Sequence, residues 1–213
     1  EAALAAYNLA EMLLSQGHVT QAERLLLDAL PVVKAARWRE GVCDIQRQLG
    51  HVRIEQGRFG EADALLEDTA EEYLKIGQPG SARDTRLVQA AGQIQAGNEA
   101  GGRALLDRIS QDAGDDLVMM APKIALLRAI ASARQGRFEE AATQCREGRK
   151  ATRELELDYE DGLISRIWLS LPEQRFADAE REEITASAER LQDLGVETPP
   201  RSFSWSEVIT PGT

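Results

Sequence analysis

The sequence is poor in the residues from which enzyme chemistry is usually built. It has two histidines, His18 and His51, and two cysteines, Cys43 and Cys145. Their spacing fits no metal-ligand pattern. A nucleophilic Ser or Cys needs a neighbouring base held by a third group. Two histidines and no strand–turn–helix elbow leave no way to assemble one. Carboxylate pairs such as Glu71-Glu72 and Glu182-Glu183 are plentiful, but they read as solvated helix faces of an acidic chain. No enzyme, catalytic residue, metal or cofactor is expected.

Other absences narrow the partners. No apolar run approaches 18 residues and no leader pattern is visible, so neither a membrane span nor export is expected, and a cytoplasmic setting follows. The formal net charge is −11, with acidic residues in excess in both halves. Duplex DNA or an anionic membrane calls for a basic face, and none is present. The two cysteines sit in helical patterns and read as reduced, buried thiols. Arginine far outnumbers lysine, a bias that hints at GC-rich bacterial coding. The chain starts at Glu1, inside a helical pattern and without Met, and is expected to be a piece of something longer.

What the chain does have is a helix-former composition and a repeat. Five segments align: QGHVTQAERLLLDAL (16–30), QGRFGEADALLEDTA (56–70), AGNEAGGRALLDRIS (96–110), QGRFEEAATQCREGR (135–149) and EQRFADAEREEITAS (173–187). Glycines recur at Gly17, Gly57, Gly97 and Gly136, and a small residue at Ala22, Ala62, Gly102, Ala141 and Ala179, in steps of 40, 40, 39 and 38 residues. A glycine suits the left-handed turn that ends a helix. The small residue lets two helix backbones approach, and Leu26, Leu66, Leu106 and Cys145 follow four later on the same face. Val19, Phe59, Phe138 and Phe176 are placed to plug the turn. The glycines of Gly97-Asn98-Glu99-Ala100-Gly101-Gly102 look superficially like a phosphate loop, but no Lys-Ser/Thr or preceding strand accompanies them. They read as the turn of repeat three, with Gly101 and Gly102 expected to loosen its packing.

Between these segments run stretches with helical spacing: Leu4, Leu9, Met12, Leu13; then Ile45, Leu49, Val52, Ile54; then Leu87, Val88, Ala91, Ile94; then Ile124, Leu127, Ala131. The expected first helices are 2–16, 38–56, 81–96, 116–135 and 157–171. The expected second helices are 19–37, 60–77, 99–113, 138–155 and 175–194. Thr20 with Glu23 fits a capping box, and Pro79-Gly80-Ser81 with Asp84 reads as a break followed by a cap. No hairpin of this kind buries its apolar face alone, so the pairs should stack into one continuous core. The fold class expected is all-α, an α-α superhelix (solenoid) of about five helix-turn-helix repeats. Its array covers 1–195, with repeats near 2–37, 38–77, 79–114, 115–155 and 157–195, and a tail covers 196–213. Cys43 and Cys145, a whole repeat apart, should lie beyond disulfide reach.

At these residues the chain resembles the tetratricopeptide repeat family. Repeat two matches best, with Leu49, Gly50, Gly57, Phe59, Ala62 and Leu66. Repeat four matches at Ala129, Gly136, Phe138 and Ala141, and repeat one at Leu9, Ala10, Gly17, Ala22, Leu26 and Ala29. Glu99 replaces the aromatic in repeat three, and repeat five lacks the glycine. The units are longer than the family's usual period and look like the long repeats of bacterial regulatory and signalling proteins. The resemblance implies a concave groove lined by the first helices and ligand binding without chemistry. One subset of the family holds chaperone C-termini with paired Lys and Asn on successive first helices. This chain has only Asn8 on a first helix, so that clamp cannot form.

Counting back from each turn glycine puts Leu4, Tyr7, Asn8 and Glu11, then Asp44, Arg47, His51 and Glu55, on the groove face. Repeats three and four give Asp84, Leu87, Ala91 and Ile94, then Lys123, Leu126, Ile130 and Arg134. Repeat five gives Asp161, Ile164 and Trp168. The candidate binding residues are Tyr7, Asn8, Arg47, His51, Leu87, Ile94, Leu126, Ile130, Arg134 and Trp168. Each has a plainer reading as core or solvated surface. The expected partner is a protein or peptide, with no direct contact to nucleic acid or membrane. A homodimer through a terminal repeat or the tail remains open. The expected role is an interaction module of a larger regulatory protein, attached to a cyclase, kinase or ATPase module. The alternative is a ligand- or peptide-sensing array of a transcription regulator. The apolar tail residues Phe203, Trp205, Val208 and Ile209 are expected to cap the last repeat, or else to insert into a groove.

Overall fold

A computed structural model describes residues 2–172 and 178–196. Among these residues the chain is all helix, with no strand. The helices are α1 (Ala2–Ser15), α2 (Val19–Ala35), α3 (Arg39–Glu55), α4 (Phe59–Lys75), α5 (Pro79–Gln95), α6 (Glu99–Asp112), α7 (Leu117–Arg134), α8 (Phe138–Glu154), α9 (Asp158–Ser170) and α10 (Asp178–Asp193). A single 3-10 turn, Gly114–Asp116, precedes α7. These bounds match the helical spacing of the sequence closely. No helix of the described residues is long and apolar enough to cross a membrane. Residues 197–213 of the expected tail, and residues 173–177 in the turn of repeat five, lie outside the described residues.

The helices are cut by one turn used again and again. At the end of α1 the Gly17 amide donates to the Leu14 carbonyl at 3.0 Å and the His18 amide to Leu13 at 2.7 Å. This crossed pair satisfies carbonyls that a helix end leaves orphaned. The same pair recurs at Gly57 and Arg58, Gly97 and Asn98, and Gly136 and Arg137. It also recurs between repeats, where the left-handed residue is Gly77 in one turn but Arg37 (φ 53°) and Glu156 (φ 55°) in two others. The sequence signals for helix starts fare less well. The residue preceding α2 is His18, with no side-chain cap, and Thr20 lies inside the helix, so no capping box forms. Pro79 and Gly80 lie in the first turn of α5 rather than before it. A proline is tolerated there because that amide has no intrahelical partner in any case.

The described residues fall into two compact units, one running up to Leu105 and the other from Leu106, with the boundary inside α6. In the first unit each helix packs on its sequence neighbour, and α1, α3 and α5 also pack in series. The inner stripe of α2 (Ala22, Leu26, Ala29, Val33) shares one apolar cluster with Ala10 and Leu14 of α1 and Ile45, Leu49 and Val52 of α3. Each fully buried leucine in such a cluster contributes roughly 1.5–3 kcal/mol. Close approach is built in at two glycines. A Cβ on Gly50 would stand 2.5 Å from Leu66, and one on Gly102 2.5 Å from Ile94 and 3.0 Å from the Ala90 carbonyl. Gly102 therefore tightens repeat three, contrary to the looser packing expected of it.

In the second unit α7 packs on α8, α8 on α9, α9 on α10, and α7 on α9. The register of repeat five corrects the sequence alignment by one residue. Ala179 is exposed, and Ile184, Ser187 and Leu191 form the buried stripe of α10. Ile184, 39 residues after Cys145, is the residue that takes the buried position of Leu26, Leu66 and Leu106. Helix packing is set by which side chains can be buried, and the Ala179 register would have buried Glu183.

Candidate functional site

The polar residues of α1, α3 and α5 meet around one guanidinium. Arg47, on α3, donates from Nη2 to the Tyr7 hydroxyl on α1 at 2.5 Å. Its guanidinium carbon lies 5.8 Å from the centroid of the Tyr7 ring and 5.8 Å from that of Tyr73, which reaches in from α4. Both distances are within the range where a cation is attracted to a ring face. Asp44 Oδ1 is 3.7 Å from Arg47 Nη2, and Asp84 Oδ2, on α5, is 3.8 Å from Nη1. The Tyr73 hydroxyl donates to Asp44 at 2.5 Å. Burial of the Tyr73 ring, with the Asp44 carboxylate beside it, holds its hydroxyl protonated well above the ordinary tyrosine range, although Arg47 pulls the other way.

This arrangement follows from the repeat. Tyr7 and Arg47 stand ten residues before Gly17 and Gly57, so stacked first helices bring them together. Asn8 on α1 is exposed. His51, one turn along α3 from Arg47, is half-buried, with Nε2 3.8 Å from Glu55 Oε1. The cluster offers a cation, the Tyr7 phenol and carboxylates on one face, while the fully buried Tyr73 backs the guanidinium from the core. Such a set recognises polar groups by hydrogen bonding while its ring supplies apolar contact.

The apolar candidates belong elsewhere, and the groove expectation for them is corrected. Leu87, Ile94, Leu126, Ile130 and Trp168 are all buried, with exposures of 0–5%. Leu87 and Leu126 occupy the register of Arg47, but apolar side chains at that register fold inward. Ile94 is a register error: it lies three residues before its turn glycine, as Ile54 does, and both are core. Of the other repeat-five residues, Ile164 is fully buried and Asp161 is 4% exposed. Trp168 lies under the Arg146 guanidinium, whose carbon is 5.4 Å from the ring centroid. Arg134 and Lys123 stay at least partly exposed, Lys123 standing 3.9 Å from Glu160.

A second polar cluster, missed from the sequence, lies in the other unit. Arg149 of α8 is buried and donates from Nε to Asp161 Oδ1 of α9 at 3.1 Å and from Nη2 to the Ser187 hydroxyl of α10 at 3.2 Å. Thr152 donates to the same Asp161 oxygen at 3.0 Å, and Arg190 lies 3.6 Å from the other oxygen. Burial pushes the Asp161 carboxyl up, but hydrogen bonds from Ser187 and Arg149 outweigh it and hold the group below its ordinary value of 3.8. The cluster walls a cleft of about 500 Å³ that Arg153, Asp158, Glu183 and Arg190 also line. The signal was available: Arg149 stands thirteen residues after its turn glycine, where the other repeats carry Leu30, Ala70 and Ser110.

The thiols are free and buried. Burial pushes Cys43 up to about 11 and Cys145 up to about 12, so neither is a ready nucleophile. The glycine run of repeat three contains an N-cap at Asn98, with the Gly101 amide donating to Asn98 Oδ1 at 3.1 Å.

A scan against protein-family models finds no match for this chain. Searches of curated proteins and of solved structures likewise find none.

Proposed function

We propose that the chain is a helical-repeat interaction module that binds a peptide or protein segment on the face of α1, α3 and α5. On this reading it is a non-catalytic, tetratricopeptide-like part of a larger cytoplasmic regulatory or signalling protein of bacterial type. The observation that supports it most is the Arg47 cluster. Tyrosine and arginine are the side chains that most often carry binding energy at interfaces, since they combine area with directed hydrogen bonds. Here an arginine is pre-positioned between two tyrosine rings, with an exposed Asp84 beside it. A side chain already held in place loses little entropy when a partner arrives.

The test is a random peptide library selected on the intact chain, followed by affinities for variants of this face. Arg47→Met and Arg47→Gln both remove the guanidinium charge, with circular dichroism checking that the helices stay folded. Selected peptides should bind both variants at least about tenfold more weakly, a loss of about 1.4 kcal/mol. Peptides that bind the variants and the parent equally would place recognition elsewhere. Turnover of a substrate by this chain alone would overturn the non-catalytic reading.

A further inference from the structure

The outer face of α1 is apolar and uncovered. Leu9 is 43% and Met12 50% exposed, and Ala5, one turn before Leu9, is exposed as well. These residues stand twelve, eight and five positions before Gly17. In α3 the same positions are Ile45, Leu49 and Val52, with exposures of 1%, 6% and 0%. In α5 they are Thr85, Gln89 and Gly92, also buried. The face is thus the one that each later first helix of this unit closes against the helix before it. Over α3 the covering helix is α2, whose Leu26, Ala29 and Val33 share a single cluster with Ile45, Leu49 and Val52. Over α5 it is α4, and there the contact is mixed: Ala70 and Tyr73 cluster with Ala82, while Gln89 donates to Asp63 at 3.1 Å and to Glu67 at 3.0 Å.

The character of the face selects its occupant. Ala5, Leu9 and Met12 are all apolar, like the α3 set and unlike the α5 set. A helix presenting Asp63 and Glu67 would bury carboxylates against Leu9 without a donor, which is costly. The exposed side of α10, with Arg181, Glu182 and Glu189, fails for the same reason, so head-to-tail stacking of a second copy through α10 does not fit. We propose that the outer face of α1 is the docking surface for an α2-type helix, an amphipathic helix with a Leu/Ala/Val stripe at i, i+3 and i+7, supplied by a repeat unit stacked in register ahead of α1. This surface is separate from the Arg47 face and stands or falls independently of it.

The experiment adds such a helix to the whole chain. A second copy of residues 2–38 is joined directly to Ala2, which preserves the three-residue turn found between α2 and α3. In a parallel chain the added unit is residues 39–78, whose second helix is α4. The α2-type extension should raise the unfolding midpoint by roughly 5 °C and slow amide exchange in α1 at least tenfold. Leu9→Glu with Met12→Glu, both at exposed positions, should erase that gain, and the α4-type extension should give less than half of it. An equal gain from the two extensions, no gain, or a gain that survives the glutamates overturns the proposal. Sedimentation of the unextended chain closes the remaining route: a dimer that Met12→Glu dissolves would assign the face to a second copy instead.

Discussion

Arg47 and Arg149 are the two arginines around which the units' polar groups collect, and they are held in opposite ways. Arg149 is 4% exposed, with a carboxylate at 3.1 Å, a hydroxyl at 3.2 Å and partners from two neighbouring helices. Its charge is consumed by the fold. Arg47 is 14% exposed; its carboxylates stand 3.7 and 3.8 Å away, and its closest partner is a neutral phenol. Rings hold it in place and its charge is only loosely neutralised. A buried, fully paired charge serves specificity of packing, whereas a pre-positioned, under-neutralised charge at a surface is suited to recognising something else. From the sequence, Arg47 is singled out by its groove register and Arg149 by nothing.

The contrast is broken most directly by deleting each cation. Arg149→Met leaves the buried Asp161 carboxylate with Arg190 as its remaining cation, and should cost about 3 kcal/mol, at the lower end of the range for breaking a buried pair. Arg47→Met strands no buried charge and gives up two ring contacts and one hydrogen bond, about 1–2 kcal/mol. Urea unfolding at neutral pH measures both. Removing both partners should recover part of the loss, so Arg149→Met with Asp161→Leu should be more stable than Arg149→Met alone. Equal costs for the two arginine variants would collapse the distinction drawn between them.

Acid offers a second way to separate the clusters. Because the folded-state value of Asp161 is depressed below 3.8, its contribution is present above that pH and is lost as pH falls through the folded value. The α8–α10 region should therefore weaken below about pH 4, and Asp161→Asn should flatten that part of the stability profile while lowering stability at pH 7. A profile that Asp161→Asn leaves unchanged would show that the carboxylate is not held as described.

How much of this was legible in advance depends on what a residue's neighbours do. Helix bounds were readable because the turn glycines and the apolar spacing are local signals. The turns at Arg37 and Glu156 were not marked, because there the left-handed residue is not glycine and the crossed hydrogen bonds alone define them. In the candidate site, Tyr7 and Arg47 were found because their shared register brings them together across α1 and α3. Tyr73 was missed because it comes from a second helix. Ile94 was counted in the wrong register, and Leu87 and Leu126 were misplaced because spacing gives a face and not a depth: a position at the edge of a stripe is groove or core according to the size of what packs beside it. Arg149 was missed because a cation in a core register looks like a solvated one until its partner, Asp161, is brought to it from twelve residues further along.

The buried thiols turn the comparison into one that can be read in each unit separately. Cys43 lies in a cluster with Ala70, Tyr73 and Ala82, next to the Arg47 site, and Cys145 lies on α8 one turn before Arg149. Each is fully buried, so a thiol reagent reaches it only when its surroundings open. Arg149→Met should speed labelling of Cys145 by about tenfold or more and leave Cys43 nearly unchanged, since energetic effects at separated sites are largely independent. Arg47→Met should do the reverse, and more weakly. Mass spectrometry of each labelled cysteine over time gives both rates from one sample. Equal acceleration of both thiols in either variant would mean that the two units open together.

The smallest effect is the most informative about recognition. Asp84 is 57% exposed and 3.8 Å from Arg47, so the pair is worth little to the fold, and Asp84→Asn should change stability by less than about 0.5 kcal/mol. The same change removes a carboxylate that competes with any partner for the guanidinium. If Arg47 is there to be bound, an anionic peptide selected on the parent chain should bind Asp84→Asn more tightly, and the gain should fade as salt screens the charges. If Asp84 instead serves only to hold Arg47 in place, the substitution should weaken binding at every ionic strength. A titration at low and at high salt separates the two, with stability held constant because the carboxylate contributes so little to it.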